Sequence, residues 1–310
     1  MHSIRQSLSR QLNAFLFSLV IFTVAFPAFA QDKSSSPHPR KIVLLAGKKS
    51  HGPVGNGEHD YGWSVRLLKV MFDHSSVSQK VNVIYHLDGW PEDEHVFDDA
   101  DTIVVISDGR DGDKFSDALH IENDARVAFV SKLMQRGCGL VTFHFSTFSP
   151  QKYAQKVLDW NGGYYQWETN GKKQWYSNLK VLDADVKLAN SDHPILRGVS
   201  PWHMREEFYF DLRFEPDKFP ITPLLTVPAA PAAHADGHIV AWARQRPDGG
   251  RGFGTTCGHY YANWQQPNFR KMMLNAIAWT AHLDIPADGI EAPYFTHEQI
   301  LAMLKTPPVK

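Results

Sequence analysis

The run Gly139-Leu140-Val141-Thr142-Phe143, followed by His144-Phe145-Ser146-Thr147, decides the architecture. An unbroken apolar and β-prone stretch this short, opened by glycine, fits a strand covered on both faces, as in a parallel sheet. Before it, Ile121 to Gln135 repeats apolar residues at Ala125, Val127, Ala128, Val130, Leu133 and Met134, which is helical spacing. Gly137 then stands where a left-handed residue ends a helix. Further upstream the alternation recurs. Thr102-Ile103-Val104-Val105-Ile106 reads as a strand that stops at Ser107-Asp108-Gly109, and Val81-Asn82-Val83-Ile84-Tyr85 as another. Trp63 to Phe72, with Val65, Leu67, Leu68 and Met71, reads as a helix, and Lys41-Ile42-Val43-Leu44-Leu45-Ala46-Gly47 as the first strand. This β-α-β-α order predicts a doubly wound sheet with its ligand site at the carboxyl ends of the strands.

Downstream of Ser149 the pattern loosens. A helix over Gln151 to Trp160, a polar Trp-rich insertion over Trp167 to Tyr176 and a strand at Leu179 to Leu182 are expected. Glu207 to Phe210, Pro223 to Val227, His238 to Ala243 and Gly252 to Cys257 read as further short strands, some antiparallel. Asn268 to His282 carries the clearest late helix, and Thr296-His297-Glu298-Gln299 has the form of a capping box opening a short helix to Leu304.

The N-terminus has a different character. Arg5 and Arg10 precede an apolar run from Ala14 to Phe26, and Ala28-Phe29-Ala30 supplies a small-x-small cleavage pattern, so residues 1–30 are expected to be a signal peptide. The run falls short of the roughly 20 residues that a bilayer span needs. Residues 31–40, rich in Ser and Pro, read as a solvated linker. The expected location is the periplasm or the medium, with no membrane span after cleavage.

Net charge is −1 with 21% charged residues, so no basic face invites nucleic acid. Two cysteines cannot staple a fold of this length, so Cys138 and Cys257 are expected as free thiols, with Cys138 near the sheet end opposite His144. Nine Trp and ten Tyr fit both a large core and a surface on which sugar rings stack.

Among the 16 histidines, several fall at strand ends or in glycine-rich loops. Loop Ser50-His51-Gly52-Pro53-Val54-Gly55-Asn56-Gly57-Glu58-His59-Asp60 combines backbone freedom with imidazoles and carboxylates. His144 follows the fourth strand, the position of a nucleophile elbow. Glu206-Glu207 is a carboxylate pair suited to acid–base work or to gripping hydroxyls, and Gly258-His259 leaves the last strand of the sheet.

In order along the chain, His144, Ser191-Asp192-His193-Pro194-Ile195-Leu196-Arg197-Gly198, Glu206-Glu207-Phe208-Tyr209, Ile239-Val240-Ala241-Trp242 and Gly250-Arg251-Gly252-Phe253-Gly254 leading to Gly258-His259 together resemble the ThuA-like, trehalose-utilisation family. The resemblance covers Lys41 to Ala281. It implies an α/β fold of the class I glutamine amidotransferase type: a flavodoxin-like, doubly wound, mainly parallel sheet with antiparallel additions in the C-terminal half. One such domain over 41–285 is expected, followed by a C-terminal extension, 286–310, with a short helix. His144 stands where amidotransferases carry their cysteine, so glutamine hydrolysis is not implied.

The family's role implies disaccharide catabolism on sugars oxidised to the 3-keto form by a partner dehydrogenase. Elimination, hydrolysis or isomerisation there needs a base and a donor for the enolate oxygen. His144, His259, Glu206 and Glu207 are the expected catalytic groups, with His51, Glu58, His59, Asp108, Tyr260 and Trp264 binding the saccharide. Asp192 is expected to cap a short turn. No metal ligand or cofactor is assigned on this reading. Two alternatives stay open: a non-catalytic carbohydrate binder, and a metal-dependent hydrolase using some of His51, His59, His144 and His259 as ligands.

Overall fold

The computed structural model describes residues 38–111, 118–170 and 172–304. The expected signal peptide and all of the linker before residue 38 lie outside them.

Strand β1 (Arg40–Ala46) begins within the last residue assigned to the linker, because Arg40 is buried and its guanidinium meets Asp101 at 3.0 Å. Helix α1 (Tyr61–Asp73), β2 (Val81–His86), β3 (Thr102–Ile106), α2 (Asp124–Gln135), β4 (Gly139–Phe143) and α3 (Ala154–Asn161) follow in the expected alternation. Asn123 caps α2, whose start is later than Ile121 because Leu119–Ile121 forms a separate 3-10 turn. At its end Gly137 adopts φ 84°, and the N–H groups of Gly137 and Cys138 close on the carbonyls of Met134 and Leu133.

The two-residue strand β5 (Gly163–Tyr164) precedes the Trp-rich insertion, and β6 (Glu168–Thr169) and β7 (Lys172–Lys173), also of two residues, lie within it. Then come β8 (Asn178–Leu188), β9 (Trp202–Phe210), β10 (Arg213–Phe214), β11 (Thr222–Thr226), β12 (Ile239–Gln245), β13 (Arg251–Thr255), α4 (Pro267–Thr280) and α5 (His297–Met303). Thr296 and Gln299 form the expected capping box of α5.

Nine strands make the central sheet in the order β2-β1-β3-β4-β13-β12-β11-β8-β9. The first five are mutually parallel, and the remaining pairings are antiparallel. This is the flavodoxin-like doubly wound sheet with antiparallel additions. The two-residue period divides the core. Ile42, Leu44, Val104 and Val141 join α1 and α4 on one face, while Val43, Leu45, Ile103 and Leu140 join α2 and α3 on the other. Both faces of β1, β3 and β4 are therefore covered, which is why their sequences run apolar without alternation. Strand β8, largely exposed, alternates instead.

Both cysteines are free and buried. Cys138 precedes β4 and Cys257 follows β13, and since these strands are parallel and adjacent the thiols sit at opposite ends of the sheet. The turn after Asp192 is organised differently from expectation. His193 caps it, its Nδ1 accepting the Ile195 N–H at 3.2 Å, with Pro194 in the turn's first position.

Candidate functional site

Parallel strands β1, β3, β4 and β13 all deliver their carboxyl ends to one edge of the sheet, and each is followed by a histidine or an aspartate. Loop 47–60 after β1 carries His51 and His59, Asp108 follows β3, His144 follows β4 and His259 follows β13. The loop is tied down by its own polar groups. Asp60 accepts the N–H groups of Gly55 and Gly57 at 2.9 and 2.8 Å, and Lys49 reaches the His51 carbonyl and the Asn56 side chain. A short antiparallel contact then joins this loop to the segment after β13. The His59 N–H donates to the His259 carbonyl at 2.9 Å, and the Tyr261 N–H donates to Gly57 at 2.8 Å.

The result is a cluster of rings. His59 lies 4.7 Å from His259 and 5.0 Å from His144 between centroids, and His51 lies 3.9 Å from His59. His59 and His144 both adopt left-handed backbones, φ 47° and 51°. Such conformations cost energy for a side-chain-bearing residue, and in His144 they produce the sharp elbow expected at the end of β4.

Two of the three inner imidazoles have their tautomer set. The Thr256 carbonyl can only accept, so the His144 Nδ1, 2.6 Å away, carries the proton and Nε2 faces inward to Tyr209 at 2.8 Å. Tyr61 donates its hydroxyl proton to Asp108 at 2.6 Å, so its oxygen accepts from the His59 Nδ1 at 2.8 Å. This leaves the His59 Nε2 facing the His259 Nδ1 at 3.0 Å. Glu207 enters from β9, its Oε2 3.3 Å from the His259 Nδ1 and 3.5 Å from the His144 Nε2. Ser50 connects the outer members, bonding Asp108 and the His51 Nδ1, each at 2.7 Å.

Burial and mutual repulsion shape the charges. Desolvation, then the neighbouring His144, His51 and His259, push His59 far down, so it is neutral near pH 7. His51 is lowered by burial, with Asp108 partly opposing. Burial would raise Glu207, but His144 and His259, which bond it and attract it in their protonated forms, outweigh that and hold the carboxyl well below its usual range. His259 is lowered by burial and raised by more through Glu207, for a net upward shift. Burial raises Asp108 despite its bonds from Ser50 and Tyr61.

Two expected site residues belong elsewhere. Glu206 is fully buried and points away from Glu207, as alternation along β9 requires. Its carboxylate accepts the N–H groups of Glu207, Gly258 and His259 at 2.7, 2.9 and 3.2 Å, and the Asn263 amide at 2.8 Å. It shapes the turn that presents His259 and does not take part in the cluster. Trp264 is 1% exposed, stacks on Phe143 and donates to Ser64, so it is a core residue. Its spacing in a 3-10 turn rotates the indole inward, whereas Tyr260, half-buried, packs beside His259 under the Arg205 guanidinium. Glu58 contributes its backbone to the bridge with Tyr260.

Sequence reasoning missed the roles of Ser50, Tyr61 and Tyr209. Tyr209 was findable, because it lies two residues from Glu207 on the same face of β9. Trp160 of α3 and Trp167 of the insertion are buried, and Trp175, 43% exposed, stands edge-on to Phe148 and Tyr165. Phe148 and Tyr165 in turn touch Tyr209, so an aromatic wall leads from the cluster to solvent.

The sequence profile described as ThuA, trehalose utilisation, matches residues 68–280. The chain belongs to the ThuA family. Membership connects this ThuA protein to carbohydrate metabolism through the family's role in trehalose utilisation. Among solved structures it is similar to a putative ThuA-like protein from Bacteroides uniformis, with 13% identity, a TM-score of 0.55 and coverage of 79% of this chain and 93% of the other. A putative ThuA-like protein from Parabacteroides merdae matches with 17% identity, a TM-score of 0.52 and coverage of 78% and 90%. At these identities the likeness concerns the fold. A comparison with curated proteins gives no significant match.

Proposed function

We propose that this ThuA protein is exported and acts on a disaccharide whose sugar ring carries a 3-keto group, removing the proton beside the ketone and expelling the glycosidic substituent. The observation that carries the reading is the union of two different devices in one place. A half-buried imidazole, His51, is backed by Ser50 and Asp108, and next to it lies the inner set His59, His144, Glu207 and His259.

Proton abstraction α to a ketone needs a base and a group that accepts charge on the oxygen. His51, at the open side, takes the C2 proton, and the electron pair moves into the C2–C3 bond as the ketone oxygen gains charge. That charge is met within the inner set by the His259 imidazole, whose protonated form Glu207 favours. Collapse then forms the C1–C2 double bond, breaks the C1–O bond and returns the proton from His51 to the departing oxygen. Addition of water to the double bond completes hydrolysis, with no change of oxidation state. A sugar 3-dehydrogenase upstream would supply the substrate, and Trp175 offers a ring face for the saccharide.

The test is incubation with 3-keto-trehalose beside unoxidised trehalose, with released monosaccharide measured. Release from the keto sugar alone is expected, falling by a factor of about 100 or more in His51→Ala and Glu207→Gln, as general acid–base contributions require. Release that survives both substitutions, or equal release from unoxidised trehalose, overturns the reading.

A further inference from the structure

We propose that His59, His144, Glu207 and His259 bind one divalent transition-metal ion. Any role of that ion in turnover rests on the sugar reading above, but its binding does not.

The ligand atoms are the Nε2 of His59, the Nε2 of His144, the Nδ1 of His259 and the Oε2 of Glu207, all within 4.8 Å of one another. The nearest separations are 3.0, 3.3 and 3.5 Å. Around an ion with bonds of about 2.0–2.1 Å, the edges of a tetrahedron measure roughly 3.3 Å. Three of the six donor separations thus already stand near the spacing that a common ligand sphere demands, and the others lie within 4.8 Å. Three imidazoles and a carboxylate suit first-row ions such as Zn2+, Fe2+, Co2+ or Ni2+, and do not suit Mg2+ or Ca2+, which take oxygen donors.

The surroundings point the same way independently. A metal-binding histidine gives its other ring N–H to a carbonyl or, directly or through a relay, to a carboxylate, which sets the tautomer and aims the lone pair. His144 gives its Nδ1 proton to the Thr256 carbonyl, and His59 gives its own to Tyr61, itself bonded to Asp108. Both therefore turn an unprotonated Nε2 into the cluster. Without a cation, two lone pairs and a carboxylate share a buried space in which the His259 ring proton and the Tyr209 hydroxyl, 2.8 Å from the His144 Nε2, are the available links. His59 and His144 also hold left-handed backbones where they enter the site, a strain that the fold maintains at this edge.

His51 lies outside the set. Its ring contacts His59, and its Nδ1 is taken by Ser50, so it borders the coordination sphere and can serve a ligand there as proton acceptor. An ion in this position would polarise a substrate oxygen, the function that the inner set has in the reaction above.

The experiment uses the full protein, stripped with a chelator, desalted and titrated with Co2+ and then Zn2+. Expected are about one equivalent of metal by elemental analysis, visible Co2+ bands of a nitrogen-rich site, displacement by Zn2+ and a metal-dependent rise in Tm. Glu207→Gln and His59→Ala should each weaken Co2+ binding by at least about tenfold, Tyr61→Phe by roughly 10- to 100-fold through the His59 ring, and His51→Ala should keep the bands. Near-UV circular dichroism confirms that each variant retains its fold. Absence of stoichiometric metal in the wild-type protein overturns the proposal. So does unchanged binding in folded Glu207→Gln, or loss in His51→Ala with retention in Glu207→Gln, which would move the ion to the His51–His59–Asp108 side. Metal binding without release of sugar defeats the catalytic reading and leaves the site standing, and release by metal-free protein overturns the ion's role in turnover while leaving both its binding and the sugar reading in place.

Discussion

His59 and His259, 200 residues apart in sequence, are joined twice: their ring nitrogens meet at 3.0 Å, and the His59 N–H donates to the His259 carbonyl at 2.9 Å. The backbone bond fixes where each chain segment enters, so the rings meet without either side chain having to search for the other. Anything that shifts the 258–259 turn therefore moves the inner set as a whole.

Glu206 should be a positioning residue for that turn. Glu206→Ala strips the acceptor from three backbone N–H groups and the Asn263 amide, and leaving such buried donors unpaired costs about 1–3 kcal/mol each. A loss of about 3 kcal/mol or more is expected in urea unfolding, while Glu206→Gln, which keeps an acceptor oxygen, loses less. Equal losses in the two variants would remove the explanation.

Gly258 admits no side chain. At φ 130° a Cβ would lie 1.8 Å from the Phe143 ring, so Gly258→Ala must displace an aromatic ring of the core or change the turn. A loss of about 2 kcal/mol or more, with impaired release of sugar, is expected. Phe143→Leu in the same background should recover part of the stability by making room; no recovery would show that the clash is not the cause.

Acid stability should depend on His120. Among the described residues, neither nitrogen of this fully buried ring has a hydrogen-bond partner, and desolvation lowers it to about 3 from an ordinary value of 6.5. Its folded value is the depressed one, so between those limits the unfolded chain binds more protons. Stability from this group is complete above pH 6.5 and is lost as pH falls towards 3, by about 1 kcal/mol per pH unit. His120→Leu should flatten the dependence of unfolding free energy on pH in that window, and an unchanged slope would count against the assignment.

Trp175 should matter to affinity more than to chemistry. Trp175→Ala removes an exposed ring at the outer end of the aromatic wall, and loss of about 1 kcal/mol of stacking predicts a rise in KM of roughly fivefold with kcat retained. A fall in kcat with KM unchanged would contradict the role of a binding platform.

Export carries its own expectation. Mass spectrometry of the protein recovered from cell envelope or medium should find an N-terminus at Gln31, the residue after the Ala28-Phe29-Ala30 pattern. A mature chain that retains residues 1–30 would refute it. Among the described residues, no helix is long and apolar enough to cross a membrane.

The amino-acid sequence by itself determined the architecture. Period-2 and period-3.6 patterns are local, so the alternation of β1 to β4 with α1 and α2, the end of α2 at Gly137 and the capping box at Thr296 were all visible as runs of neighbours. It also brought His51, His59, Asp108, His144 and His259 under suspicion, because strand ends in a doubly wound sheet share an edge. Tertiary structure alone decided what those residues do to one another. Adjacent carboxylates at 206 and 207 read alike, yet the pleat sends one behind the turn and the other into the imidazoles. Trp264 resembles a sugar platform in sequence and is core once its turn is placed. Contacts such as Tyr61 to Asp108, or His59 to His259, join positions whose sequence separation carries no signal, and only the packing of the sheet edge brings them within hydrogen-bonding distance.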